Sequence, residues 1–375
     1  MIIDCDSHLF EFPDMWGRYA DPGDRDVAME ITTDALGYSW LMCGDRKLGL
    51  AEPHIPRKVE GIGEYRLRQL KGLPSNLDYP AFAAAYSDPK AILAHLDEVG
   101  YDQAVLFPNY GIVFERGLAD DLRATLTNMG AWNRWVADIR AAGGGRLHPV
   151  GHVSLRDRPW LEAQLATMSA AGIRMALMAP ALVDGKPLSH PDLGWAWSAF
   201  VDHGVTPVFH VANQPRCFDD AWYGEDIIGG VNPMNTIFLW QAAALAITDL
   251  ILGGVMERQP DLRIGVMELS ARWVPLHLQL MDGSFRFTAR FNGESAPISM
   301  APSDYFRRQV RVAAFPQEVQ GGLLDRGDDL FMACSDYPHT EGTTTPFDDY
   351  AAVGATRGAS TSGFFGDNVK FLLRA

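Results

Sequence analysis

The sequence is poor in cysteine and pairs none of it. Cys5, Cys43, Cys217 and Cys334 are scattered over 375 residues without CxxC spacing. That excludes a disulfide scaffold or a thiolate metal cluster and fits reduced thiols in a cytosolic protein. Positive charge is also scarce: 32 Lys and Arg stand against 47 Asp and Glu, a net charge of -15. Such a surface disfavours nucleic acid and anionic membranes as partners. No apolar run is expected to be long enough to span a bilayer, and an opening that carries Asp4 and Asp6 predicts no secretory signal. There is no Gly-rich phosphate loop, since Gly143-Gly144-Gly145 falls between a helical pattern and a strand and reads as a plain loop. Internal repeats and low-complexity tracts are absent too. A composition 47% hydrophobic and 21% charged is that of a folded chain.

What is present begins with Asp4-Cys5-Asp6-Ser7-His8-Leu9-Phe10-Glu11. On a strand, alternation sends Asp4, Asp6 and His8 to one face and turns Cys5 away. Two O or N donors on a rigid strand form half of a divalent-metal site. The other half can be sought in Val208-Phe209-His210 and in Ser335-Asp336-Tyr337-Pro338-His339, where Cys334 is again expected to face away.

Eight apolar runs read as strands: Ile2 to Leu9, Gln103 to Phe107, His148 to Val153, Arg174 to Met178, Thr206 to Val211, Arg263 to Glu268, Val310 to Ala314 and Leu330 to Ser335. Helical patterns lie between them, at Asp120 to Ala142, Pro159 to Ala171, Pro191 to His203 and Glu318 to Leu324, with Gly172 and Gly204 as stops. Strands alternating with helices predict an α/β fold, a (β/α)8 TIM barrel formed as one domain over residues 1–375. An open doubly wound sheet is the alternative. Asp21 to Pro89 is expected to be a loop-rich insertion after strand 1. Asn213 to Pro260 is expected to be a loop followed by a long helix after strand 5, Ile237 to Leu252 being apolar. Both could form a substrate lid, and the second could equally be an oligomer surface.

Polar residues of ligand type then fall at strand ends: Asp6 and His8, His210, Glu268 and Asp336. Buried carboxylates pair or bind metal, so the set predicts a metal site. Two imidazoles with carboxylates suit Zn, Mn or Fe, with Zn the leading expectation. Strand 4 offers no Lys or Glu to bridge two ions, which predicts one ion with an open position.

The stretch IDCDSHLFEFPDMWGRYADP from Ile3 to Pro22 resembles the opening of the amidohydrolase-related family. This is the branch containing α-amino-β-carboxymuconate-ε-semialdehyde decarboxylase and the aromatic-acid decarboxylases. ELSARWVPLHLQLMD from Glu268 and SDYPHTEG from Ser335 are also similar to family segments. The resemblance implies a distorted barrel with a metal at its C-terminal mouth and a homodimer. It assigns Asp6, His8, His210 and Asp336 as ligands and Asp336 as a mover of protons. It makes Glu11 a ligand or a partner behind the ligands, and His339 a proton carrier beside Asp336. Where members often have a histidine after strand 6 this chain has Glu268, which could serve as a base.

Two reactions fit. In the leading expectation, a metal-activated water hydrolyses an amide, ester, thioester or lactone of a small hydrophobic or aromatic acid, with Asp336 as base and Glu268 or His339 assisting. The alternative is non-oxidative decarboxylation of an aromatic or unsaturated acid, with Arg57, Arg66 or Arg68 available to meet the carboxylate. A non-catalytic binding protein on the same barrel is a third reading. Trp16, Tyr19, Phe107, Tyr110, Phe114, Trp222 and Tyr223 are expected near the mouth, where they would suit a planar or hydrophobic substrate.

Overall fold

The structure, a computed structural model, describes residues 1–77, 86–212, 214–222, 233–292, 296–326 and 329–375. The chain enters through β1 (Ile3–Leu9) and then builds β2 (Met29–Thr33), β3 (Ser39–Cys43) and β4 (Arg46–Leu50) outside the barrel. The barrel continues with β5 (Gln103–Pro108), β6 (Leu147–Pro149), β7 (Gly151–His152), β8 (Met175–Leu177), β9 (Thr206–Phe209), β10 (Ile264–Val266), β11 (Val310–Ala314) and β12 (Phe331–Ala333).

β1 pairs with β5 and β5 with β6, while β7 to β12 pair in sequence order, all in parallel. β6 and β7 flank Val150 and are two halves of one barrel strand, each bonded to a different neighbour. The ring closes where His8 N donates to Tyr337 O at 2.8 Å and Asp336 N to Asp6 O at 2.8 Å. All eight predicted strands therefore form one (β/α)8 barrel, and the open sheet is ruled out. Ile3, Cys5, Val105, Val150, Leu177, Val208, Met267, Ala313, Met332 and Cys334 fill its interior. Leu106, Phe209, Val266 and Phe331 pack outward against the helices, as a parallel sheet covered on both faces requires.

The helices start and stop for local reasons. Asp121 accepts from Ala124 N and Asp157 from Trp160 N, each at 2.9 Å, caps that contribute about 1 kcal/mol apiece. They open Leu122–Ala142 and Arg158–Ala171. Gly172 and Gly204 adopt left-handed φ of 77° and 63° and end their helices. The predicted helix from Glu318 to Leu324 does not form. A short helix covers Pro316–Val319, a 3-10 turn covers Leu324–Arg326, and Gly321 and Gly322, with φ of 83° and 76°, break the chain between them.

Three expectations need correction. The first insertion is not loop-rich: β2-β3-β4 form an antiparallel sheet, followed by a helix at Val59–Leu70. Alternation along β1 is interrupted by a register shift between Asp4 and Ser7. Asp4 consequently leaves the face of Asp6 and His8 and accepts from Ser335 N at 2.9 Å, while Cys5 and Cys334 point into the interior. Finally, Pro233–Leu252, 20 residues with mean hydropathy 1.4, does meet the length and composition of a membrane span. A turn divides it into Pro233–Ile237 and Gln241–Leu252, and Ala243, Ile247, Leu250 and Ile251 bury their side chains against the barrel.

Candidate metal centre

Residues from four barrel strands converge at the C-terminal mouth. Asp6 and His8 lie on β1, His210 follows β9, Glu268 follows β10, and Asp336 follows β12. Asp6, His210 and Asp336 are 0% exposed. His8 Nε2 stands 3.2 Å from Asp336 Oδ1 and 3.7 Å from Asp6 Oδ1. His210 Nε2 stands 3.3 Å from Asp6 Oδ1 and 3.5 Å from Glu268 Oε2. Donor atoms of Asp6, His8 and His210 come within 4.8 Å of one another, and so do those of His8, Glu268, Asp336 and His339.

The backbone is bent to achieve this. Glu268 and Asp336 hold left-handed φ of 51° and 54°, a conformation costly for a side-chain-bearing residue and concentrated at functional sites. Gly342 permits the second bend, since a Cβ there would lie 2.4 Å from Asp336 O. Each imidazole is also oriented from behind. His8 Nδ1 meets Pro108 O at 3.0 Å and His210 Nδ1 meets Val211 O at 3.2 Å. A carbonyl only accepts, so Nδ1 carries the proton and Nε2 offers a lone pair to the centre.

The electrostatics call for a cation. Burial pushes Asp336 up to about 7, and burial with the Asp336 and Asp6 carboxylates beside it pushes Glu268 well above its ordinary value. Burial lowers His8, and lowers His339 to about 4. Burial opposes the His210 cation as well, but the Asp6 carboxylate outweighs it and the net shift is upward. Asp6 Oδ2, His8 Nε2, Glu268 Oε2 and both Asp336 oxygens have no hydrogen bond among the described residues. Orphaned buried donors of this kind are costly unless something binds them. The donor set and its unmet atoms fit one divalent ion.

The remaining expected residues divide. His339 stacks on His8 with ring centroids 3.7 Å apart and sets its Nδ1 2.9 Å from Asp336 Oδ1. Glu11 is placed differently: its two oxygens accept from Tyr110 N at 2.9 Å and Gly111 N at 2.8 Å. It clamps the loop after β5 and lies outside both donor groups. Burial pushes it up to about 7 despite those bonds.

A cavity of about 390 Å³ opens on the centre, lined by His210, Glu268 and His339 and by Leu50, Glu52, His54, Arg66, Asn109 and Tyr110. The first insertion thus supplies one wall. Of its arginines only Arg66 lines this cavity, with two bonds of 2.6 and 2.7 Å to Glu52. Arg57 bonds Thr343, Thr345 and Asp349, and Arg68 bonds Pro74 O. Of the aromatics expected at the mouth, Tyr110 lines the cavity and Phe107 lies beneath it, 4.6 Å from the His210 ring. Trp16 and Phe114 are core, Tyr19 bonds Asp138, Trp222 is exposed, and Tyr223 lies outside the described residues. Sequence reading missed Asn109, His54 and Glu52. Only Asn109 carried a signal, as a polar residue directly after an apolar strand.

No protein-family model matches this sequence, and no curated protein matches it. Solved structures do. An amidohydrolase from Mycobacterium avium subsp. paratuberculosis K-10 superposes with TM-score 0.77 at 21% identity, covering 99% of this chain and 97% of its own. The chain has the amidohydrolase barrel fold. IDCase from Metarhizium anisopliae gives TM-score 0.68 at 15% identity, over 100% of this chain and 97% of that one. A 5-carboxyvanillate decarboxylase from Novosphingobium aromaticivorans DSM 12444, complexed with manganese and 4-hydroxy-3-methoxy-5-nitrobenzoic acid, gives TM-score 0.61 at 18% identity over 86% and 94%. In an amidohydrolase-type barrel the strand ends at the mouth are where functional side chains gather, and this chain's cluster occupies them.

Proposed function

We propose that this protein is a divalent-metal-dependent enzyme that removes a carboxylate from an aromatic or unsaturated acid without redox chemistry. The observation that carries the reading is the group of buried, unmet donor atoms on Asp6, His8, Glu268 and Asp336 beside a cavity lined by Arg66. Asp6, His8, His210 and Asp336 would hold the ion, with Glu268 at its edge. When bound, such an ion supplies positive charge that anchors a carboxylate and a neighbouring oxygen and stabilises charge on the reacting group. The resemblance in fold to a manganese-bound aromatic-acid decarboxylase supports this choice over hydrolysis, and supports manganese beside zinc as the ion.

The chain's own groups fit the reaction. Arg66 presents a guanidinium in the cavity, already oriented by Glu52. Loss of CO2 leaves an electron pair on carbon, which must take a proton. Asp336 Oδ1 and His339 Nδ1, 2.9 Å apart beside the cavity, are placed to deliver it. Asn109 Oδ1, 2.8 Å from His339 Nε2, fixes the ring for that delivery.

One observation favours the hydrolytic reading: Glu268, mostly buried, sets Oε2 3.5 Å from His210 Nε2 with no hydrogen bond. A carboxylate with a raised pKa could take a proton from an attacking water. Elemental analysis of protein purified without chelator, beside His210→Ala, tests the shared premise. About one ion per chain, lost in the variant, is expected; no ion in the wild type and none taken up on reconstitution would refute it. Hydroxybenzoates, esters and amides assayed with the ion then separate CO2 release from hydrolysis.

A further inference from the structure

A second cavity, of about 880 Å³, adjoins the first. Val211, Glu268 and Glu341 line both. Beyond that neck the character changes. Trp240 and Trp273 stack with centroids 5.8 Å apart and 12° between planes. Ile237, Leu276, Leu280 and Phe315 complete the wall. Ile237, Leu276 and Leu280 are 62%, 61% and 56% exposed, a heavy apolar exposure for a chain carrying a net charge of -15.

Arg272, Glu318 and His277 in this chamber are already engaged. Arg272 donates to Gln317 O and, at 3.3 Å, to Glu318 O. Glu318 accepts from Ala271 N at 3.3 Å and Phe315 N at 3.0 Å. His277 Nε2 and Thr248 Oγ1 satisfy each other at 2.8 Å. What the chamber offers a ligand away from the two glutamates is mainly aromatic and aliphatic surface. An acid held at the metal centre can reach it only past Glu268 and Glu341, whose acidity disfavours a second anionic group in the neck.

We propose that the substrate is amphipathic: its acidic head sits in the smaller cavity, and an uncharged alkyl or aryl tail passes Glu268 to lie against Trp240, Trp273, Leu276 and Leu280. The inference rests on the metal-acid reading above and adds the substrate class to it. The wall that the two cavities share at Glu268 favours a substrate tail as occupant over a second copy of the chain.

Calorimetric titration of manganese-loaded protein with 2-hydroxybenzoate and with 4-hexyl-2-hydroxybenzoate tests it. The hexyl acid is expected to bind about fiftyfold tighter, from burying about half of its added carbons. Leu276→Glu, on an exposed helix face, should abolish that gain and leave the parent acid's affinity unchanged. Leu245→Glu, equally exposed but outside the chamber, should leave both unchanged. Equal affinities for the two acids would overturn the tail and spare the metal-acid reading. Binding of the hexyl acid that ignores manganese would detach the chamber from the centre and overturn it too. Failure of both acids to bind would overturn the reading together with the inference. Sedimentation of the same samples covers the remaining case. A wild-type dimer split by Leu276→Glu, with both acids bound equally, would assign this face to a second copy.

Discussion

His339 Nδ1 lies 2.9 Å from Asp336 Oδ1, and its Nε2 lies 2.8 Å from Asn109 Oδ1. Asn109 Oδ1 only accepts, so Nε2 carries a proton and Nδ1 turns a lone pair to the carboxylate. Neither of these two facing atoms makes a hydrogen bond among the described residues, so the pair is open to a proton brought between them. Asp336→Asn should lower turnover about 10³-fold or more, since on the proposed function it would remove both a ligand and the proton's partner. His339→Gln should lower kcat about 10²-fold while metal content stays near the wild-type value. Loss of metal from His339→Gln would instead place this residue among the ligands.

Arg66 is the arginine of the first insertion that lines the reactive cavity. If it meets the substrate carboxylate, Arg66→Met should raise KM about 10- to 100-fold with kcat little changed. The variant also leaves Glu52, 7% exposed, without its partner, at a cost of about 3 kcal/mol. The double variant Glu52→Gln/Arg66→Met should regain stability but not KM. A KM restored along with stability would reduce Arg66 to a structural role.

Gly342 sits against the bend that aims Asp336. A Cβ there would meet Asp336 O at 2.4 Å and Ser335 O at 2.8 Å. Both are backbone atoms, so the loop itself must move. Gly342→Ala should cost about 1–3 kcal/mol in urea unfolding and reduce the metal retained per chain. Unchanged metal content would show that the loop relaxes without displacing the carboxylate.

Glu11 gives a pH signature. Its carboxyl is raised from an ordinary 4.5 to about 7 by burial. Between those values the folded chain binds the proton more tightly than the unfolded chain does. Stability therefore falls as pH rises from about 4.5 to about 7 and levels off above, with a total of about 3 kcal/mol. Glu11→Gln removes this dependence at the price of a constant offset, because an amide has one acceptor for the two N–H groups of Tyr110 and Gly111. Unfolding free energies of both proteins at pH 5 and pH 8 should diverge in that sense. Parallel profiles would mean that Glu11 ionises normally.

The barrel was legible in the chain because parallel strands covered on both faces are short, continuous apolar runs, and all eight were visible as such. Asp6, His8, His210, Glu268 and Asp336 were legible for a related reason: a charged or imidazole side chain ending an apolar run has few explanations other than a site. Local pattern also set the stops at Gly172 and Gly204. Other features depended on which segments meet. The register shift lies in the pairing of β1 with β5, and the Ser335 amide that takes up Asp4 comes from the last strand's end, 331 residues away in sequence. Glu11 looked like a ligand, but the amides after β5 lie close enough to take both of its oxygens. His54 and Arg66 reach the cavity through the packing of the insertion on the mouth, and Trp273 meets Trp240 only once the helices have docked. Periodicity records the face on which a residue lies, not its neighbour across the fold. Closure of the barrel and docking of its insertions decided those neighbours, and with them the shape of the cleft.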